Sequence, residues 1–142
     1  MIAKSLVATF GKDLSKSFGS MPGSLAKGAQ MYEGIAKAGG VDPNGAFVRE
    51  SYDAAALIAL AVQAGGSADR KSIAKNVMSV ANGPGTKIYP GELKKGLELL
   101  AEGKTIDYEG ASSVTFTEVG EAGGSFLEMV VKGDDFKGIK QR

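Results

Sequence analysis

The residues of this chain that most resemble a catalytic motif are two serines, each followed three residues later by a lysine. Ser24 and Lys27, and again Ser72 and Lys75, match the Ser-x-x-Lys pattern in which a lysine activates a serine nucleophile. The companion motifs of that chemistry, Ser-Asp-Asn and Lys-Thr-Gly, do not occur. We therefore interpret both serines as helix-capping residues and both lysines as solvated side chains.

Residues 103–105, Gly-Lys-Thr, match the end of a phosphate-binding loop. That loop requires another glycine five residues before Gly103, and the position is occupied by Glu98 within a leucine-striped segment. We predict that Gly103 ends a helix and binds no phosphate.

Carboxylates are the remaining candidates for chemistry. Asp107, Glu109, Glu118 and Glu121 lie near one another in sequence but lack the Asp-x-Asp-x-Asn-Gly spacing of a calcium loop. The sequence has no histidine and no cysteine, which removes the commonest general base and the commonest metal ligands. We predict no catalytic residues, no metal and no cofactor, and hence a protein that is not an enzyme.

Two aromatic residues flank the start of the most helical stretch. Phe47 follows residues 42–45, Asp-Pro-Asn-Gly, which is strong turn chemistry. Its residue type allows it to line a ligand cleft or to close a core, and we favour the core. Tyr52 comes one helical turn later, where its hydroxyl needs a hydrogen-bond partner if it is buried, so we predict a structural hydrogen bond.

The helix that carries these residues is predicted to be buried. Every residue from 54 to 62 is apolar, and the run is too short for a bilayer span, which takes about 20 apolar residues. Gly65 and Gly66 are predicted to end it. Other helices are predicted at 2–10, at 25–38 with Ser24 as the cap, at 69–81, and from Tyr89 and Pro90 onward.

Strands are predicted near the end of the chain, around 114–116 and 126–131, and residues 19–23 are predicted to form a loop. Residues 14–18 are ambiguous, since their alternation permits a strand. The helices between 24 and 103 therefore present apolar faces with few strands to cover them. An α/β fold would need a parallel sheet there, and this sequence largely lacks one.

The composition is that of one ordinary globular domain. The 142 residues are 43% hydrophobic and 23% charged, with a net charge of +1, so nothing indicates a nucleic-acid partner. The first ten residues are interrupted by Lys4 and Ser5 and are followed by no cleavage site, so we predict that this sequence has no signal peptide.

A resemblance to a known family is carried by residues 42–57, Asp-Pro-Asn-Gly-Ala-Phe-Val-Arg-Glu-Ser-Tyr-Asp-Ala-Ala-Ala-Leu. This stretch resembles the branched-chain amino-acid substrate-binding proteins of bacterial ABC importers, which are type I periplasmic binding proteins. The likeness continues through 81–95, 106–111 and 114–118, and covers nearly the whole chain.

The resemblance implies an α/β fold of two lobes joined by three crossover segments, with the ligand held between the lobes. This chain is similar only to the carboxyl-terminal portion. Residues 1–23 would be the tail of lobe two and the hinge crossing, 24–110 a helical return into lobe one, and 111–142 strands that cross back to lobe two. The missing parallel sheet would belong to an amino-terminal part.

The function implied by the resemblance is non-enzymatic binding of a small branched-chain or apolar amino acid, or a related carboxylate. Phe47 aligns with an aromatic residue that packs on the ligand side chain. Arg49 and Glu50 would lie near the mouth of the cleft, and Tyr52 would be structural beside it. The implied partners are the ligand, an ABC permease, and the missing amino-terminal part or a second copy of the chain. The complete protein would be periplasmic.

A second interpretation, from a different functional class, stays open. The exposed helix faces could make the chain a stand-alone interaction or oligomerisation domain without a small-molecule ligand.

Overall fold

The computed structural model describes residues 2–133 and 135–142. Met1 and Asp134, which belong to the predicted segments 1–23 and 111–142, lie outside the described residues. The described helices are α1 (Ile2–Phe10), α2 (Lys27–Ala38), α3 (Val48–Gly65), α4 (Arg70–Ala81) and α5 (Leu93–Ala101), with a 3₁₀ turn at Gly11–Leu14. The described strands are β1 (Phe18–Pro22), β2 (Thr86–Ile88), β3 (Ile106–Tyr108), β4 (Thr115–Phe116), β5 (Ala122–Gly123), β6 (Phe126–Lys132) and β7 (Asp135–Gln141).

The strands form three small sheets. β1, β6 and β7 make an antiparallel sheet with β6 in the centre, β2 pairs with β3 in parallel, and β4 pairs with β5 antiparallel. The fold is mixed α/β, as the sequence predicted. The parallel pair β2–β3 was not predicted, because runs of three residues carry little periodic signal.

The more extensive contacts between elements fall into two groups. The helical unit, residues 27–123, contains α3 to α5 with β2 to β5, and α2 joins it through the cluster of Tyr32 and Ala36 with Ala111. The strand unit contains α1, β1, β6 and β7. Two short connections join the units, residues 23–26 and residues 124–125.

The core of the helical unit lies between α3, α4 and the parallel pair. The buried apolar residues are Ala56, Leu57, Leu60, Ala61, Val80, Ala81, Ile88, Ile106 and Tyr108. α3 is the central helix of this unit. Its predicted end is confirmed: Gly66 follows it in the left-handed conformation, and the amide of Gly66 donates to the carbonyl of Gln63.

The prediction of a helix buried on all sides is wrong. α3 buries the face of Leu57 and Leu60, whereas Ala54, Ala55, Ile58 and Ala59 are exposed. Every position of this run is apolar, so periodicity in the sequence could not show which face would be covered. We call these four exposed residues, together with the partly buried Val62, the outer face of α3.

α2 packs against the turn that follows β3. A Cβ atom added at Gly28 would lie 1.8 Å from the carbonyl oxygen of Gly110. This close approach requires glycine and explains why a residue that weakens the helix occurs in its first turn.

Three local predictions are corrected by the structure. Residues 18–22 form β1 and not a loop. β1 is an edge strand that pairs with β6, and an edge strand tolerates Gly19 and Pro22. Ser24 is not the N-cap of α2; that residue is Ala26. Pro90 was predicted to occupy the first position of α5, but the helix begins three residues later, at Leu93, with Glu92 as its N-cap. The helices at 2–10 and 69–81 are confirmed within a residue.

Among the described helices, none is both long enough and apolar enough to cross a bilayer.

Candidate functional site

The start of α3 is positioned by a chain of local hydrogen bonds. The amide of Asn44 donates to the carboxylate of Asp42 at 2.9 Å, and the amide of Gly45 donates to the Asp42 carbonyl at 3.1 Å. A side chain at Gly45 would meet Val48 Cγ2 at 2.7 Å. The predicted turn is therefore present, and its sequence is what allows Val48 to fold back over it.

Phe47 occupies the N-cap position of α3 in the left-handed region, with φ of 59° and ψ of 13°. This conformation is uncommon for a residue with a bulky side chain. Its carbonyl accepts from the hydroxyl of Ser51 at 2.8 Å and from the amide of Ser51 at 2.9 Å. The side chain is 63% exposed, so the preference for a core position was wrong. The backbone of Phe47 is fixed while its ring faces outward.

Arg49 is buried beneath the start of the helix. Its Nη1 donates to the carbonyl of Ser24 at 3.0 Å, and its Nη2 lies 3.4 Å from Glu33 Oε1. Within the described residues Arg49 Nε is buried and has no hydrogen-bond partner. The guanidinium thus links α3 to α2 and to the connection between the two units.

Glu50 is half-buried in the first turn of α3. A negative charge is favourable there because the helix dipole places partial positive charge at its N-terminus. Glu50 also contributes, after burial and the neighbouring Tyr52, to raising the pKa of Tyr32. Glu50 is therefore neither fully exposed nor part of the core.

Tyr52 and Tyr32 pack together, with ring centroids 5.0 Å apart and planes inclined at 51°. The hydroxyl of Tyr52 accepts from the amide of Gly91 at 3.1 Å, which links α3 to the loop before α5. A structural hydrogen bond of this kind is what the sequence predicted for Tyr52.

Asp53 is the residue that sequence reasoning missed. It is 2% exposed and accepts four hydrogen bonds: from the Tyr108 hydroxyl, from the amides of Ala111 and Ser112, and from the Ser112 hydroxyl, at 2.5–2.8 Å. The signal was available, because an aspartate directly before a long apolar run is a buried charge that needs partners. Asp53 fixes the turn after β3 onto α3.

The arrangement has no catalytic constellation within the described residues. Both Asp53 oxygens are occupied by structural donors, and no group of three acidic side chains could hold a metal in residues 2–133 and 135–142. A polar cleft of about 280 Å³ is lined partly by Asp107 and Glu109, but Glu109 is paired with Lys87.

The motifs at Ser24 and Gly103 have structural explanations, whereas Ser72, predicted to be a capping residue, lies within α4, whose cap is Asp69. The Ser24 hydroxyl pairs with Ser113 Oγ at 2.8 Å, while Lys27 Nζ lies 4.2 Å from the centre of the Tyr89 ring. Gly103 ends α5, its amide donating to the carbonyl of Leu100 at 3.0 Å. These contacts match the capping interpretation of Gly103, and they show Ser24 and Lys27 engaged with different partners.

No protein-family model matches the sequence, and no curated protein matches it significantly. Among solved structures, the leucine-binding protein LivK of Thermotoga maritima MSB8 matches with a TM-score of 0.64 at 19% sequence identity. The match covers 97% of this chain and 34% of that protein. The chain therefore shares the fold of part of that leucine-binding protein, and it spans about a third of the solved protein's length.

Proposed function

We propose that this chain is the carboxyl-terminal part of a solute-binding protein that serves an ABC importer. The complete protein would hold a small apolar amino acid, or a related carboxylate, between two lobes without catalysing a reaction. The observation that supports this most is the fold shared over 97% of the chain with a protein described as leucine-binding. The complete protein would work in the periplasm with a membrane permease.

The segments of the chain have corresponding roles in this proposal. Residues 1–23 would end lobe two and cross the hinge, residues 24–110 would return into lobe one, and residues 111–142 would cross back. The boundary at residues 23–26 supports the first of these divisions, whereas the second connection, at residues 124–125, lies beyond the proposed change at residue 110.

Phe47 is proposed as the ligand contact on this part of the protein. Its ring is 63% exposed on a backbone held by the Asp42 turn and by Ser51, which is what a preformed apolar contact requires. Glu50 is a weaker candidate because it is partly covered. Arg49 would not contact the ligand directly, since its guanidinium already contacts Ser24 and Glu33.

Titration calorimetry tests the proposal on the polypeptide encoded by the complete reading frame that contains these residues. We expect binding of leucine, isoleucine or valine and much weaker binding of lysine or glutamate. Phe47→Ala should lower the affinity, whereas Phe10→Ala, which removes another exposed phenylalanine at the end of α1, should not. A complete polypeptide that folds and binds none of the apolar amino acids would overturn the proposal.

A second function is favoured by the outer face of α3. Ala54, Ala55, Ile58 and Ala59 form a continuous exposed apolar surface, and such surfaces on water-soluble domains commonly mark association sites. On this alternative the chain is an interaction or oligomerisation domain. A complete polypeptide that forms stable oligomers through this face and binds no amino acid would support it.

A further inference from the structure

Two of the three asparagines in this chain are followed by glycine, at Asn44–Gly45 and at Asn82–Gly83. Asparagine is a thermolabile residue, because the amide nitrogen of the next residue can attack its side-chain carbonyl carbon. A following glycine has no side chain to hinder that approach. Both sites contain the same reactive pair, so the folded structure decides which of them reacts.

The side chain of Asn82 is held at both ends. Its Nδ2 donates to the carbonyl of Phe116 at 2.7 Å, and its Oδ1 accepts from the amide of Phe116 at 2.9 Å. Turning this side chain toward the amide of Gly83 would break both hydrogen bonds. Asn82 therefore joins the end of α4 to β4, and these bonds protect its carbonyl carbon from attack.

The side chain of Asn44 has no such restraint. Asn44 is exposed in the turn before α3, and its side-chain amide forms no hydrogen bond with the residues that the structure describes. The attacking group would be the amide of Gly45, which donates to the Asp42 carbonyl at 3.1 Å in a turn that water can reach. A Cβ atom at Gly45 would lie 2.7 Å from Val48 Cγ2. The fold thus requires, directly after Asn44, the residue type that hinders the attack least.

We propose that Asn44 is a site of spontaneous covalent modification in the folded chain, and that the modification loosens the start of α3. The Gly45 amide gives its proton to hydroxide, and its nitrogen forms a bond to Asn44 Cγ. The bond from Cγ to Nδ2 breaks, and ammonia leaves with a proton taken from water. Water then opens the succinimide ring to an aspartate or an isoaspartate at position 44. One water is consumed and one ammonia is released, without any oxidant or reductant.

The isoaspartate product changes the main chain of the turn. It inserts a methylene group between the α-carbon of position 44 and the peptide group of Gly45, so the two hydrogen bonds to Asp42 lose their spacing. Those bonds hold the backbone that leads to Phe47, whose carbonyl accepts from the Ser51 amide at 2.9 Å. The first turn of α3 therefore opens more readily in the modified chain.

Peptide mapping by mass spectrometry tests the assignment of the site. The 142-residue chain is incubated in mildly alkaline buffer, so that both sites are measured in one sample. We expect Asn44 to react roughly tenfold or more faster than Asn82, the equivalent of the two hydrogen bonds that hold Asn82. In concentrated urea the two rates should become similar, because the chain is then unfolded. Asn44→Gln should prevent the reaction at position 44, since glutamine must form a larger ring.

Equal rates in the folded chain, or a preference for Asn44 that persists unchanged in urea, would overturn this assignment. Asn76 is the internal reference for other losses, because its Nδ2 donates to the Ser72 carbonyl at 2.8 Å and valine follows it.

Amide exchange tests the effect on α3. The modified chains carry an added negative charge, so ion exchange separates them from the unmodified chain. In the fraction that contains isoaspartate we expect the protection of the Ser51 amide to fall roughly threefold to tenfold, the equivalent of one net hydrogen bond. The Ile73 amide, which donates to the Asp69 carbonyl at 3.0 Å at the start of α4, is the matched control and should keep its protection. Unchanged protection of Ser51 in that fraction would overturn the proposed loosening.

Discussion

Tyr108 donates its hydroxyl proton to Asp53 Oδ1 across 2.8 Å, although 55 residues separate the two in sequence. The same carboxylate holds the amides of Ala111 and Ser112. α3 is thereby joined to β3 and to the turn against which Gly28 packs. This buried acid holds α3 from within the core, while the turn at Asp42 positions the start of the helix, where Phe47 and Arg49 lie.

Asp53→Ala should destabilise the chain strongly. The substitution leaves two hydroxyls, of Tyr108 and Ser112, and two backbone amides without their acceptor, and each buried unsatisfied donor costs about 1–3 kcal/mol. We expect a loss of roughly 3 kcal/mol or more in the free energy of unfolding, measured by urea denaturation. Asp69→Ala is the matched control, because Asp69 caps α4 at the surface through the amides of Lys71 and Ser72, and its removal should cost much less.

Asp53→Asn keeps the volume of the side chain but removes one of its two acceptor oxygens, so it distinguishes the loss of hydrogen bonds from the loss of packing. One oxygen becomes an amide group that faces donors, so this variant should also lose stability. If both variants unfold at the wild-type urea concentration, Asp53 does not hold the turn after β3.

Stability at alkaline pH should depend on Tyr108. Burial raises the pKa of Tyr108, and the neighbouring Asp53 charge and hydrogen bond raise it further. The unfolded chain loses this proton near pH 10.0 while the folded chain keeps it. The contribution is therefore fully present below pH 10 and is lost as the pH rises toward the folded pKa. Above pH 10, Tyr108→Phe should lose stability less steeply than the wild type, by about 1.4 kcal/mol per pH unit.

Phenolate absorbance gives the direct measurement. The sequence contains 4 tyrosines, and the Tyr108 hydroxyl should ionise only as the chain unfolds. Ionisation of all four tyrosines near pH 10 in a chain that still has its native circular dichroism would contradict the prediction.

Local signals in the sequence were sufficient for the helices. The turn at Asp42 and the end of α3 at Gly66 depend on neighbouring residues, so their residue types predicted them. β1 was missed because its partner, β6, lies more than a hundred residues further along the chain, and because Gly19 and Pro22 are typical of loops. Long-range pairing can override local propensity in this way.

The candidate site was predictable only in part. Phe47 and Tyr52 stood out because aromatic residues beside a turn are easy to recognise. Asp53 and Arg49 gain their roles from partners such as Tyr108 and Ser24, which only the folded chain brings near. The exposed outer face of α3 could not be inferred, since apolar residues occupy every side of that helix.

Substitutions at Phe47 should separate binding from stability. Phe47→Ala in the complete polypeptide should weaken amino-acid binding by about 1–3 kcal/mol, the scale of one apolar contact, and leave the melting temperature nearly unchanged because the ring is exposed. Phe47→Gly should weaken binding equally but raise stability, since a left-handed conformation costs a non-glycine residue roughly 1–2 kcal/mol. Calorimetric titration and thermal denaturation of both variants provide the measurements. Unchanged affinity in both would remove Phe47 from the site.

The 142-residue chain by itself should associate and should not bind amino acids usefully. Its outer α3 face includes Ile58, which is 50% exposed, among exposed alanines that allow another surface to approach closely. Light scattering should therefore show a mass that increases with concentration. Ile58→Glu should weaken this association roughly tenfold or more, because a charge replaces an apolar contact. Val119→Glu is the control, since Val119 is 80% exposed in a turn away from α3. A compact monomer at all concentrations, with a sharp cooperative melt, would contradict this prediction. It would show that the chain folds stably with the outer face of α3 exposed to water.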